Sequence, residues 1–181
     1  MKTLILLRHA KSACGDSDAR DFDRPLSPKG RVAARTIGRE LRARGVGFDA
    51  VMASPALRVV ETVADVGEGY GSRIRPVYDE RLYLASAAVL LEVIRGIDDR
   101  ADRLLLIGHN PGLERLAMLL TRDGGNALRR EVEAKYPTAT VAEIRLPVER
   151  WSDVEPASGC LESFIRPRDL DPALGPDRDA Y

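Results

Sequence analysis

Two uninterrupted runs of apolar residues stand out along the chain. One extends from Thr3 to Leu7 and the other from Arg103 to Gly108. A short apolar run without polar alternation is typical of a strand that is buried on both faces of a sheet. The pattern therefore predicts two central strands, one near the start of the chain and one in its second half.

Between and after these runs, apolar residues recur at helical spacing. Three of the segments follow a dipeptide that is typical of a helix start: Ser27-Pro28, Ser54-Pro55 and Asn110-Pro111. Serine or asparagine accepts a hydrogen bond from the first turn, and proline is tolerated at the first helical position. We predict helices over residues 28–44, 55–67, 87–97 and 111–121.

Weaker strand patterns complete the prediction. They cover residues 49–54, 75–79, 138–146 and 159–165, and the last two are predicted as antiparallel edge strands. Strands that alternate with helices indicate an α/β fold, a three-layer sandwich with a mostly parallel central sheet. Residues 122–137 are predicted as a polar connection. We expect a single domain over residues 1–168 and a C-terminal tail with little intrinsic order over residues 169–181.

Composition excludes several classes of protein. The chain has 181 residues, with 28 Lys and Arg against 28 Asp and Glu, so its formal net charge is zero. Without a basic run, we expect no nucleic acid and no membrane as partner. Cys14 and Cys160 lie far apart and form no metal-spaced pair, which suits a reducing compartment. The apolar run at the start of the sequence is too short for the core of a signal peptide, so we expect a cytoplasmic protein. Glycine-rich nucleotide motifs are absent from the sequence, and we expect no cofactor.

The candidate chemistry lies at the ends of the two apolar runs. The chain has only two histidines, and His9 and His109 each follow one run directly. Ligands of open α/β sheets bind beyond the carboxyl ends of the strands. Because both ends meet at one edge of the sheet, we expect the two imidazoles to share a crevice.

Two arginines accompany these histidines. Arg8 precedes His9, and Arg58 lies in the first turn of the helix that follows the strand over 49–54. Guanidinium groups bind phosphate well, and the amino end of the helix after His109 adds positive potential. Fixed cations disfavour a divalent metal, so we expect a phosphoryl ligand and no metal. An imidazole can then act as a nucleophile and form a phosphohistidine.

These residues resemble a known family. The segments LLRHAKS, DRPLSPKG, SPALRVVET, ERLY and GHNPGLERLA occur in the order found in the histidine phosphatase superfamily, which includes phosphoglycerate mutases and acid phosphatases. The resemblance covers about residues 3 to 165. The short chain, the alanine after the signature histidine and the RPRDL ending at residues 166–170 resemble the SixA-like phosphohistidine phosphatase branch.

The resemblance implies a phosphoglycerate mutase-like fold and a role for each matching residue. It makes His9 the phosphoryl acceptor and assigns phosphate binding to Arg8, Arg58 and His109. Two positions depart from the mutase pattern, because Ala10 replaces a glycine and Gly15 replaces a phosphate-binding asparagine. The hydroxyl of Ser12 is a further candidate for phosphate binding.

The proton donor is the least defined part of this hypothesis. The mutase-like members use an acidic residue after the third strand, and Glu80 is the matching candidate, with Asp79 preceding it. A phosphohistidine leaves as imidazole, which carries its own proton and needs less help than an alkoxide. Glu80 can equally be a surface residue.

We therefore predict a metal-independent phosphatase that acts through a His9 phosphoenzyme on phosphohistidine of a partner protein. A phosphomonoesterase for a small phosphorylated metabolite, with the same mechanism, is the first alternative. A catalytically silent phosphate-binding module and a two-histidine metal hydrolase are others, and the last predicts inhibition by chelators, which we do not expect. Cys14 and Arg20 have the spacing of cysteine-dependent phosphatases, but two aspartates between them disfavour a phosphate loop. Nothing in the sequence defines an oligomeric state.

Overall fold

The two apolar runs pair with each other at the centre of the sheet. In the computed structural model, which describes residues 1–13, 20–122 and 127–176, β1 (Lys2–Arg8) and β4 (Arg103–Gly108) are parallel neighbours. Their register sets Arg8 opposite Gly108, so both strands end at the same level. The prediction of two central strands is confirmed.

The described residues form one six-stranded sheet of order β3-β2-β4-β1-β5-β6. The other strands are β2 (Ala50–Ala53), β3 (Val77–Tyr78), β5 (Val141–Leu146) and β6 (Cys160–Ile165). The first four strands in this order are parallel, whereas β5 runs antiparallel to both β1 and β6. The mostly parallel sheet is thus confirmed, and of the two C-terminal strands only β6 lies at an edge.

Helices cover both faces of this sheet. They are α1 (Pro28–Ala43), α2 (Leu57–Tyr70), α3 (Ala87–Arg95), α4 (Gly112–Leu120), α5 (Ala127–Ala134) and α6 (Pro167–Leu170). Ile5 and Leu7 of β1 pack in one apolar cluster with α1 and α2, and Leu4 and Leu6 pack in another with α3 and α4. Alternate side chains of the central strand are therefore buried on opposite faces, which explains why residues 4–7 are all apolar.

The contact between α1 and α2 requires small residues. A Cβ atom on Gly69 would lie 2.1 Å from the carbonyl oxygen of Arg35, and one on Gly38 would lie 2.1 Å from that of Val66. Because the backbones approach this closely, glycine is accepted inside the helix, and α2 continues past Gly67 to Tyr70. The predicted end at residue 67 was therefore too early.

Two segments differ from the prediction. The polar connection over 122–137 contains α5, whose Val132 is buried while Leu128 packs against the same cluster. One buried position per two turns is too weak a pattern to identify a helix from sequence. Beyond residue 168, α6 is followed by a 3-10 turn, and Leu170 and Leu174 pack against the core.

The chain up to residue 176 is therefore more ordered than the predicted tail. Residues 177–181 lie outside the described part of the chain, and the division at residue 168 stays a prediction. Among the helices of the described residues, none has both the length and the apolar character needed to cross a membrane.

Candidate active site

The parallel register brings the two histidines together. His9 follows β1 and His109 follows β4, and their ring centroids lie 5.1 Å apart with a 56° angle between the planes. Both side chains are buried, His9 at 8% and His109 at 3% exposure. The predicted convergence at the carboxyl edge of the sheet is thus observed.

The hydrogen bonds of His9 define its neutral form. Its Nδ1 lies 2.8 Å from the carbonyl oxygen of Ala10, which can only accept, so Nδ1 carries the hydrogen. The backbone N–H of Ala10 in turn donates to the hydroxyl of Thr62, and this holds the loop that carries the ring. Burial is the largest cause that lowers the pKa of His9 to about 4, and the positive charges of Arg58 and Arg8 contribute to the same shift. Near neutral pH, Nε2 therefore presents an unprotonated lone pair.

His109 has the opposite tautomer. Its Nδ1 accepts from Arg58 Nη2 at 3.3 Å, so the Nε2 hydrogen donates to Ser54 Oγ at 2.8 Å. Burial lowers the pKa of His109 to about 3, with contributions from His9 and Arg58. Both imidazoles are thus neutral in the free site, because burial and neighbouring positive charge disfavour a proton.

Ser54 and Asn110 do not have the capping roles that the sequence predicted. The helix after Ser54 starts at Leu57 without a side-chain cap, and the hydroxyl of Ser54 accepts from the N–H of Ala56 and contacts Nε2 of His109. The α4 helix starts at Gly112, and the Asn110 side chain donates to Glu114 and to the carbonyl of Tyr136. Only Ser27 caps its helix as predicted, by accepting from the N–H of Gly30.

Arg58 is fixed by an aspartate that the sequence analysis passed over. The guanidinium is only 4% exposed. Its Nη1 donates to the carbonyl of Asp21 at 2.6 Å, and Nη2 donates to the Asp21 carboxylate at 2.9 Å. The Tyr83 hydroxyl donates to the same carboxylate at 2.6 Å, and its ring stacks edge-on against His109. Asp21 lies two residues before the DRPLSPKG segment, and Tyr83 is the last residue of ERLY. Their closeness to these family segments is the only feature of the sequence that points to a role in the site.

Asp21 is ionised in this arrangement. The hydrogen bond from Tyr83 is the largest influence, and together with the bonds from Arg58 and Arg24 it lowers the pKa of Asp21 to about 2. The aspartate therefore acts as an anion that holds Arg58 in place. It cannot serve as a proton donor near neutral pH.

Arg8 and Ser12 also lie at this site. Arg8 Nη1 donates to the carbonyl of Tyr136 at 2.6 Å, whereas its buried Nε has no hydrogen-bond partner in the described structure. Burial lowers the pKa of Arg8, as expected for a guanidinium with little access to water. The hydroxyl of Ser12 accepts from Arg24 at 2.9 Å, so its position is set by a second guanidinium.

The cavity has a volume of about 390 Å³. It is lined by Arg8, His9, Lys11, Ser12, Asp21, Arg24, Arg58, Leu84, His109, Asn110 and Thr138. Four cationic side chains face one carboxylate among these described residues, which favours an oxyanion as ligand. The described residues contain no group of three or more His, Cys, Asp or Glu side chains that could hold a metal ion.

Glu80 lies apart from this cavity. It is exposed in a 3-10 turn over Glu80–Leu82 and does not line the cavity, although Leu84 farther along the same loop does. The preceding Asp79 is bonded to Arg81, which lowers the pKa of its carboxyl group. A role of Glu80 in proton donation stays a prediction. The Gly15 position and the Cys14 end of the rejected cysteine motif lie outside the described residues.

Comparison with known proteins defines the class. Residues 4–83 match the model of the histidine phosphatase superfamily (branch 1). An uncharacterized protein of Mycobacterium tuberculosis is 38% identical over 164 residues, covering 90% of this chain and 100% of the relative. One of Mycobacterium leprae is 32% identical over 166 residues, with the same coverage. The chain therefore belongs to the histidine phosphatase superfamily and is a histidine-type phosphatase.

Solved structures refine this placement. The SixA protein of Nakamurella multipartitia superimposes with a TM-score of 0.79 at 28% identity, covering 92% of this chain and 96% of that one. The SixA protein of Agrobacterium tumefaciens gives 0.74 at 26% identity, with 91% and 97% coverage. Within the superfamily, the chain is SixA-like.

Proposed function

We propose that the protein hydrolyses phosphohistidine on a partner protein through a covalent intermediate on His9. The observation that carries this proposal is the unprotonated Nε2 of His9 in a cavity shared with Arg58 and His109. The Nε2 lone pair forms a bond to phosphorus while the bond from phosphorus to the leaving group breaks. The leaving group keeps the electron pair. Water then attacks the phosphohistidine, and this releases phosphate and regenerates the imidazole.

The cations around His9 supply the stabilisation that the transition state needs. Arg58 is already oriented by Asp21 and Tyr83, so little reorganisation accompanies binding. His109 gains a proton more easily once a phosphate dianion lies beside it, because negative charge favours the imidazolium. Preorganised donors of this kind act on the equatorial oxygens of the transferred group.

The choice of phosphohistidine rests on the absence of a protonated carboxylic acid among the described residues that line the cavity. Asp21 is the only carboxylic acid among the described residues of the lining, and its low pKa keeps it ionised. An alkoxide leaving group needs a general acid, whereas an imidazole leaving group takes its own proton. A structure of similar fold, at 20% identity, is that of the protein histidine phosphatase SixA complexed with tungstate. The activity named for that protein supports testing phosphohistidine as the substrate here.

A comparison of substrates tests this proposal. We expect kcat/KM for a phosphohistidine-bearing protein, such as a chemically phosphorylated phosphotransfer domain, to exceed that for simple sugar phosphates by about 100-fold or more, since general acid catalysis contributes that much to alkoxide departure. Para-nitrophenyl phosphate, whose phenolate leaves without a proton, is the matched control and should be hydrolysed at an intermediate rate. A preference for sugar phosphates would favour the metabolite phosphomonoesterase instead.

The protonation states of the two histidines give a second prediction. A depressed pKa means that each imidazole is neutral above its folded value and charges only as the pH falls through it, near 4 for His9 and 3 for His109. The chain has only two histidines, so proton NMR resolves both rings without overlap. We expect neither resonance to shift between pH 8 and pH 6. An ordinary histidine, with a pKa of about 6.5, would shift strongly over this range. His109→Gln assigns the signals, and a midpoint near the ordinary value for His9 would contradict the buried, neutral nucleophile.

A further inference from the structure

A second cavity lies directly beside the active site. It has a volume of about 310 Å³ and shares Arg8, Lys11 and Thr138 with the active-site cavity. Its other walls come from the start of α1, the turn after α5 and the segment around α6. The two cavities therefore adjoin each other at these three residues.

The second cavity is strongly basic. The side chains that line it include six cations: Arg8, Lys11, Lys29, Lys135, Arg166 and Arg168. None of its described lining residues is Asp or Glu. The whole chain carries equal numbers of acidic and basic residues, so this concentration of positive charge is a local feature.

Several of these cations already have partners that fix their positions. Arg166 pairs with Glu131 at 2.8 Å and with Asp169 at 2.7 Å, and both carboxylates lie outside the lining. Lys29 Nζ donates to the carbonyl of Gly175 at 2.7 Å. These two residues form a prearranged wall, and the exposed side chains of Lys135 and Arg168 supply additional charge at the lining.

The remaining walls are apolar. Ala33, Pro137, Pro167 and Leu174 line the space between the charged groups. Small-molecule sites have volumes of about 300 to 1,000 Å³ and combine apolar walls with a few convergent polar groups. The second cavity has the size and character to hold one anionic group on a short carbon chain.

Arg8 connects the two cavities. This residue lines both of them, and its Nη1 donates to the carbonyl of Tyr136 at 2.6 Å. A guanidinium has five N–H donors and binds carboxylate and phosphate oxygens well. A ligand with an acidic group in each cavity would place negative charge on both sides of Arg8.

We propose that the second cavity binds a carboxylate or second phosphate group of the same substrate whose phosphoryl group enters the active site. This inference rests on the proposed function, because the phosphoryl group anchors the substrate beside His9. The additional anion can come from an acidic residue next to the phosphohistidine of a protein, or from a second acidic group of a small metabolite.

Equilibrium binding of phosphonates tests the proposal without turnover. Phosphonopropionate to phosphonohexanoate carry a terminal carboxylate, and alkylphosphonates of equal length lack it. By calorimetry, we expect the best carboxylate of the series to bind the full-length protein about tenfold more tightly than its alkyl counterpart, which corresponds to about 1.4 kcal/mol. Equal affinities at every chain length would overturn the proposal.

Matched variants locate the effect. The double variant Lys135→Gln, Arg168→Gln should lose the preference for the carboxylate and bind the alkylphosphonates as the unmodified protein does. The double variant Arg100→Gln, Arg150→Gln is the control, because it removes the same two charges from exposed arginines that lie near the amino end of β4, away from the site. This control should keep the full preference, and an equal loss in both variants would mean a general charge effect and overturn the proposal.

Measurements of turnover then show whether the anion belongs to a protein or to a small metabolite. They also test the proposed function and the second binding site separately. Phosphohistidine peptides with flanking Asp or Glu are compared with peptides carrying Asn or Gln, and carboxylated aryl phosphates with their methyl esters. If the KM difference between acidic and neutral peptides disappears in the Lys135→Gln, Arg168→Gln variant, the anion comes from a protein. If the difference between aryl phosphate carboxylates and esters disappears, it comes from a small metabolite. Carboxylate-dependent phosphonate binding without hydrolysis of any phosphate would overturn the proposed function and support the subsite. Hydrolysis through His9 with no discrimination in binding would overturn the subsite alone.

Discussion

Replacing His9 with alanine is expected to abolish turnover. Removing a nucleophile that forms a covalent intermediate lowers kcat by about 10⁴-fold or more. Stopping the unmodified enzyme with alkali during turnover of labelled substrate should trap phosphate on His9, because phosphohistidine resists alkali and is cleaved by acid. The variant should give no trapped label.

His9→Asn provides the control for the fold. The asparagine amide can still donate to the carbonyl of Ala10, as Nδ1 of His9 does. We expect this variant to keep the thermal stability and the tungstate affinity of the unmodified protein while losing turnover. Activity close to that of the unmodified enzyme in either variant, or label trapped on another residue, would refute the covalent route through His9.

Replacing Arg58 with alanine is expected to have the second largest effect. The guanidinium lies beside His109 and is held by Asp21 and Tyr83, so it is positioned before substrate arrives. Removing one electrostatic donor of this kind costs about 2 to 4 kcal/mol of transition-state stabilisation, or about 30- to 900-fold in kcat/KM. Steady-state kinetics with para-nitrophenyl phosphate measures this loss.

Two further variants show whether the loss arises from the missing cation. Arg58→Ala leaves the Asp21 carboxylate facing the cavity without its main cationic partner, so the double variant with Asp21→Ala should recover part of the activity. Arg35→Ala is the matched control. Arg35 pairs with Asp65 and Glu68 where α1 meets α2, and its loss should affect stability but not kcat/KM. Unchanged kinetics in Arg58→Ala would remove this residue from the mechanism.

Much of the fold could be predicted from local patterns. The segments LILL and LLLI of the two central strands lack polar positions because both of their faces are covered, and such runs identify central strands directly. Ser27 caps its helix because the hydrogen bond to Gly30 needs only four consecutive residues. The α5 helix was missed because Val132 is its only fully buried residue.

The capping predictions at Ser54 and Asn110 failed for a different reason. Both dipeptides have the composition of a helix start, and a side chain at such a position can bond either to the helix or to a group from elsewhere in the fold. Ser54 bonds to His109, which is 55 residues away along the chain. The local bond that Ser54 accepts, from the N–H of Ala56 at 3.4 Å, lies ahead of the helix, so the tertiary contact sets its role, and no local pattern signals that contact.

By itself, the sequence determined which strands lie at the centre and that His9 and His109 follow them, because burial on both faces and strand ends are local properties of the chain. Only the tertiary structure decided that both imidazoles are neutral, since their pKa values depend on burial and on Arg58, which comes from another element. The pairing of Arg58 with Asp21 joins residues 37 positions apart. The basic cavity likewise collects side chains from distant segments, and charge density of this kind depends on distance in space.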